Sequence, residues 1–297
     1  MSAIRNGILV ICLLLLLLTP LGLHFAQTRH NVLSFDPEAE FPADRPLVGG
    51  EIFASTLAAV VEQELDGATG WRPNDFIAWS PKLWADNNAN RQLGIILAAR
   101  ESARVFRDHL TKVSATEYDP NLVNADTMLR NDEYKFWFPS SESRFREAVK
   151  SLRAYVAGLA SVPPISKPLN RRNVELIRLL QTWTDMLGDA HANLLRDNAS
   201  FFASDDYFYH AQGVTHVMYH LMRALRREYG PSLAGRETVQ SMMDHVIASL
   251  ETAAVMKPVI VLDGSPSGLF ANHRRNLDAY LIDARQLMYS IREELEK

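Results

Sequence analysis

Along seven successive segments between residue 53 and the C-terminus, apolar side chains return every three to four positions. That period restricts the chain to helices that each bury one face. Phe53, Leu57, Val60 and Val61 form the first stripe, and Ile96, Ala99, Ala103, Phe106 and Leu110 the second. Phe145, Val149, Leu152, Val156 and Leu159 form the third, followed by Ile177, Leu180, Leu187 and Leu194. Val214, Met218, Leu221 and Leu225 come next, then Val239, Met243, Val246, Leu250 and Ala253. Leu277, Leu281, Ala284, Met288, Ile291 and Leu295 close the chain. Breaks at VPPISKP (162–168), YGPSLAG (229–235) and KPVIVLDGSPSG (257–268) separate the later stripes. Only VIVL has a strand-like pattern, and four residues cannot make an independent sheet. The expected fold class is all-α, with a bundle of about seven helices over residues 51–297.

Residues 8–18 are uninterruptedly apolar, and adding residues 19–26 gives a segment of the length a helix needs to cross about 30 Å of hydrocarbon. Arg5 precedes this segment, and Asp36, Glu38, Glu40 and Asp44 follow it. The charge bias predicts a single transmembrane helix at 7–26, with residues 1–6 cytoplasmic and the rest exported. A cleaved signal peptide is the competing reading, since Pro20 and Gly22 resemble the end of an h-region. Cleavage after Ala26 would put His24 where a small residue is wanted, so the anchor is preferred. Residues 27–50, with Pro37, Pro42, Pro46 and the Gly49-Gly50 pair, read as a linker.

The net charge of −4 argues against a nucleic-acid partner. Cys12, the single cysteine, lies within the apolar segment. The remainder therefore has no thiol for a disulfide, a zinc-thiolate site, an iron–sulfur cluster or a catalytic nucleophile.

GWRPNDF (70–76), DEYKFWFPSSESRFREA (132–148), DDYFYHAQG (205–213) and PVIVLDGSPSGLFANH (258–273) together resemble the bacterial envelope family catalogued as domain of unknown function 2333. The resemblance implies an inner-membrane anchor, a helical periplasmic domain and no established activity. It brings no catalytic residues with it.

Three histidines fall within eleven positions of DDYFYHAQGVTHVMYHLMRALRREYG (205–230). With Val214 at zero and 100° per residue, His216 and His220 lie at about 200° and 240°, beside Arg223 at about 180° and Arg227 at about 220°. Tyr209 extends this row, whereas His210 lies at about 320°, next to the apolar stripe. The histidines therefore do not converge on one regular helix. The arginines would repel a divalent cation, and neither HExxH nor Glu-x-x-His occurs, so no metal site and no cofactor is expected. The row suits an anion or a protein partner better. His191 reads as a satisfied core histidine.

His273 and Arg274, at the start of the last helix, are further binding candidates beside a Gly/Ser loop, although GSPSG lacks Walker spacing and Ser267 reads as a helix cap. Trp71, Trp79 and Trp84 read as a lid over the bundle or as aromatics resting on lipid headgroups. PSSES (139–143) reads as a helix start, and no GxSxG accompanies its serines.

The leading expectation is a non-enzymatic adaptor or accessory subunit of an envelope assembly. It would contact the bilayer through residues 7–26 and a protein partner elsewhere. The alternative is an enzyme or small-ligand domain with a pocket lined by Tyr209, His216, His220 and Arg223.

Overall fold

The computed structural model describes residues 2–29, 33–42, 45–67, 69–75, 86–111, 118–196, 201–258, 260–264 and 270–297. Ten α-helices run through the described residues: α1 (Ser2–Arg29), α2 (Pro37–Glu40), α3 (Glu51–Asp66), α4 (Asn87–Val105), α5 (Pro120–Leu129), α6 (Ser141–Ala160), α7 (Asn173–Leu194), α8 (Phe201–Glu228), α9 (Glu237–Ala254) and α10 (His273–Glu296). A π-helical turn, Phe106–Leu110, continues α4. No strand forms among these residues; the isolated Asp263–Asn272 bridge lies just beyond the VIVL stretch.

The seven stripes become α3, α4, α6, α7, α8, α9 and α10. Their apolar residues merge into one core that includes Phe53, Phe106, Phe145, Leu180, Leu221, Met243 and Leu281. Each such side chain removed from water stabilises the fold by roughly 1.5–3 kcal/mol. Helix α5 has no counterpart among the stripes, because it is only ten residues long and buries just Leu122, Ala125 and Leu129 as apolar contacts. Its start is nevertheless well specified: Asp119 accepts from Asn121 N and Pro120 sits in the first turn. Ser140 caps α6 by accepting from Ser143 N. Asn272, rather than Ser267, caps α10 by accepting from Arg275 N at 2.9 Å; Ser267 lies outside the described residues.

The single transmembrane helix expected from the sequence is corrected: among the described residues, no helix is long and apolar enough to cross a membrane. Helix α1 has 28 residues, but its unbroken apolar run, residues 8–18, covers roughly 16 Å at 1.5 Å per residue. That is about half of a hydrocarbon core of about 30 Å. The expectation depended on residues 19–26 for the rest, and those include Thr19, Pro20, Gly22 and His24. Ile8, Leu9, Leu13, Leu15 and Leu18 of α1 are exposed.

Helix α8 occupies the centre and packs against α3, α4, α7, α9 and α10. Its closest neighbour is α4, and two glycines make that approach possible. A Cβ on Gly94 would collide with His210 O, and one on Gly213 would collide with Arg91 O. The helices thus meet backbone to backbone at two points.

Candidate functional site

Burial of the middle of α8 changes the meaning of its polar row. Residues 211–218 are all buried, and the His216 and His220 side chains are only 1% and 5% exposed. The two imidazoles stack edge to face, with centroids 4.6 Å apart. His216 Nδ1 and both ring nitrogens of His220 have no hydrogen-bond partner within the described residues. Burial, reinforced by the positive charges of Arg223 and Arg91, pulls the His220 pKa down to about 3. Burial, Arg91 and His220 hold His216 well below the ordinary histidine value. Both rings are therefore neutral at neutral pH.

Arg91, on the facing helix α4, is fully buried and pairs with Glu64 of α3 at 2.8 Å. Its Nε and Nη2 have no partner within the described residues. Glu64, Arg91, His216 and His220 thus bring polar chemistry from α3, α4 and α8 into the interior. Arg91 and Glu64 escaped the sequence reading because each stands within an otherwise amphipathic helix, where a charged residue normally faces water. Arg91 stands where α4 and α8 approach backbone to backbone, and it is buried there.

The arginines expected to face a ligand or partner instead hold an earlier part of the chain. Arg227 donates to Phe41 O at 2.5 Å. Arg223 lies 3.5 Å from Glu38 and 3.9 Å from Asp36. Leu33 and Phe41 are buried, so residues 33–41, read from sequence as linker, lie along α3 and α8. Tyr209 is buried and donates to Pro258 O at 3.0 Å.

His273 and Arg274 lie in a separate cluster. His273 Nδ1 accepts from Leu262 N at 3.0 Å. Arg274 is buried, donating to Asp263 at 2.8 Å and to Arg196 O at 3.0 Å. Both side chains fasten the 260–264 segment to α10. His191 is half-buried and pairs through Nδ1 with Asp278 Oδ1 at 2.7 Å. Trp71 is buried edge-on against Phe145 at 4.9 Å, while Trp79 and Trp84 lie outside the described residues.

Among the described residues, no group of three or more His, Cys, Asp or Glu side chains is placed to hold a metal ion. A general base works best with a pKa near the operating pH, and the downward shifts of His216 and His220 oppose that role.

The sequence reading missed a surface cleft of about 650 Å³ among α4, α7 and α8, lined by Glu101, Arg104, Asp185, Asp189, Asn193 and His210. A smaller hollow of about 300 Å³ adjoins it and includes Asn90, Asp206 and Tyr207. Burial and the neighbouring charges of Asp86 and Asp205 raise the pKa of Asp206 to about 7. Carboxylates outnumber cations along this surface. Asp185 and Asp189 share one face of α7 at i, i+4 spacing, but Glu101 and Asp206 come from α4 and α8, so the set is brought together only by helix packing.

A family model described as an uncharacterized protein conserved in bacteria (DUF2333) matches residues 2–198 and 176–297. The chain belongs to this family. The two matched regions cover both the segment held by Arg223 and Arg227 and the whole of α8. No curated protein and no solved structure gives a significant match.

Proposed function

We infer that this bacterial protein is a non-enzymatic accessory component of the cell envelope that works by docking to another protein. The observation that carries this reading is the internal engagement of the polar α8 row. Arg223 and Arg227 hold residues 36–41, and His216 and His220 are buried and neutral. The two arginines are thus engaged in holding an earlier part of the chain, and the two histidines are withdrawn from solvent. Two features support the envelope placement: the exposed apolar residues of α1 and a bundle whose sequence has no cysteine after Cys12. A thiol-free domain suits an oxidising compartment.

The test is purification of the full chain from its native membranes, with quantitative mass spectrometry and elemental analysis. The expected result is a protein recovered in near-stoichiometric amount, lost on mutation of a surface patch but not of His216 or His220. Stoichiometric zinc, iron or copper, or a turnover abolished by His216→Gln, would overturn the reading.

A second reading, a binding domain for a small cationic ligand, is favoured by the acidic cleft of about 650 Å³ between α4, α7 and α8. Thermal stabilisation by a polyamine, removed by Asp189→Asn, would support it. An unchanged melting temperature across millimolar polyamine would exclude it.

A further inference from the structure

Trp137 and Phe138, in the connection between α5 and α6, are 79% and 89% exposed. Phe136 joins them, with its ring centroid 5.5 Å from that of Trp137 in an edge-to-face arrangement. Large aromatics seldom remain this exposed without a partner phase. The loop is also firmly held. Ser141 Oγ donates to Asp132 O at 2.7 Å and to Lys135 O at 3.0 Å. Trp71 Nε1 donates to Glu133 O at 3.0 Å, and Asn74 Nδ2 to Lys135 O at 3.2 Å. The backbone leading into the aromatic triplet is thus pinned, which lowers the ordering cost of inserting the rings into another phase.

The position of the loop indicates which phase. Arg146, in the first turns of α6, reaches Asp66 at 2.5 Å and Leu65 O at 3.4 Å, placing the loop's end of α6 at the last turn of α3. Ser34 N donates to Gln63 of that same turn at 2.9 Å. Leu33, the neighbour of Ser34, is four residue steps along the chain from Arg29, the end of α1, a covalent reach of at most about 14 Å. The exposed apolar helix and the aromatic tip therefore join the bundle at one end.

We propose that Phe136, Trp137 and Phe138 form a lipid-contacting tip that rests at the boundary between headgroups and acyl chains of a bilayer, with Lys135 at headgroup level. Trp and Phe beside Lys is the composition that this boundary favours. Asp132, Glu133 and Asp206 place negative charge near Tyr134. Apolar insertion, rather than attraction to anionic headgroups, therefore supplies the binding. The inference rests on the envelope placement proposed above.

The experiment uses the full chain with phosphatidylcholine vesicles, plain or brominated near the top of the acyl chains. Flotation of the protein with plain vesicles reports lipid association as a whole. Tryptophan quenching by the brominated lipid, compared between wild type and Trp137→Phe, reports the loop. The expected result is flotation of both proteins, with at least a twofold smaller quenched fraction in Trp137→Phe. Flotation with equal quenching would overturn the loop inference and leave the envelope placement standing. Failure to float would overturn the loop inference, whereas the envelope placement falls only if purification from native membranes recovers no envelope partner. Sedimentation of Trp137→Ser/Phe138→Ser without lipid provides a further check: loss of a dimer present in wild type would assign the tip to a second copy and overturn the proposal.

Discussion

Glu228 Oε1 accepts a hydrogen bond from Gly50 N at 3.0 Å, joining the last residue of α8 to the N-cap of α3 across 178 positions. The same oxygen accepts from Ile52 N at 2.9 Å and Phe53 N at 3.4 Å. Gly50 itself has φ of 97°, a conformation that glycine adopts without strain and that offers no capping side chain. A buried carboxylate from the central helix therefore satisfies the free amides and the positive dipole end of α3.

Glu228→Ala is expected to destabilise the protein by about 3 kcal/mol, because buried amides lose their acceptor. Glu228→Gln, which keeps one acceptor oxygen but removes the charge, should cost less than half as much. Urea unfolding followed by circular dichroism measures both. Equal stability of wild type and Glu228→Ala would show that water replaces the carboxylate at no cost.

Gly94→Ala and Gly213→Ala should each cost roughly 1–3 kcal/mol, since the added methyl meets backbone oxygen on the facing helix. Gly235→Ala, where space is open but φ is 83°, should instead show only the smaller left-handed strain of about 1 kcal/mol. Thermal melts of the three variants test the ordering.

Acid sensitivity should trace partly to His216 and His220. Their folded pKa values are depressed, with His220 near 3, so the unfolded chain binds more protons below about pH 6.5. Their contribution is intact above the unfolded value and is lost as pH falls toward 3. At most, each histidine gives a slope of about 1.4 kcal/mol per pH unit within that window. His216→Gln/His220→Gln should lose stability less steeply than wild type between pH 6.5 and 4. Parallel pH profiles would contradict the assignment.

Asp206 acts in the opposite sense. Its folded pKa is raised to about 7 from 3.8, so the native state retains a proton that the unfolded state releases. This contribution is present at low pH and lost as pH rises through 7. Asp206→Asn should therefore raise the melting temperature relative to wild type most at pH 8, less at pH 5, and least below the unfolded value of 3.8.

Periodicity alone located seven helices of the bundle, because each has a dry side and a side with polar or partly exposed residues, and that contrast is written into the spacing of its own residues. The start of α6 at Ser140 was legible for a similar local reason: its cap partner, Ser143, is three positions away. The ten-residue α5 fell below the length at which a stripe can be distinguished from chance, and the apolar run of α1 suggested a crossing that its length does not sustain.

The surroundings of α8 were decided by the tertiary structure. A helical wheel correctly opposed His216 and His220 to Val214 and Leu221, yet it could not reveal that α3 and α4 also cover the polar side. Gly94 and Gly213 allow backbone contact there, and Arg91 is carried inside with Glu64 as its partner. The segment at 33–41 was likewise read as linker, because its proline-rich composition carries no sign of the distant Arg223 and Arg227 that hold it. The sequence determined which segments are helical, since helix formation and sidedness depend on residues three and four apart. Whether a polar face meets water, a ligand or another helix depends on partners far along the chain, as Gly50 and Glu228 are at 178 positions apart, and only the assembled fold brings them together.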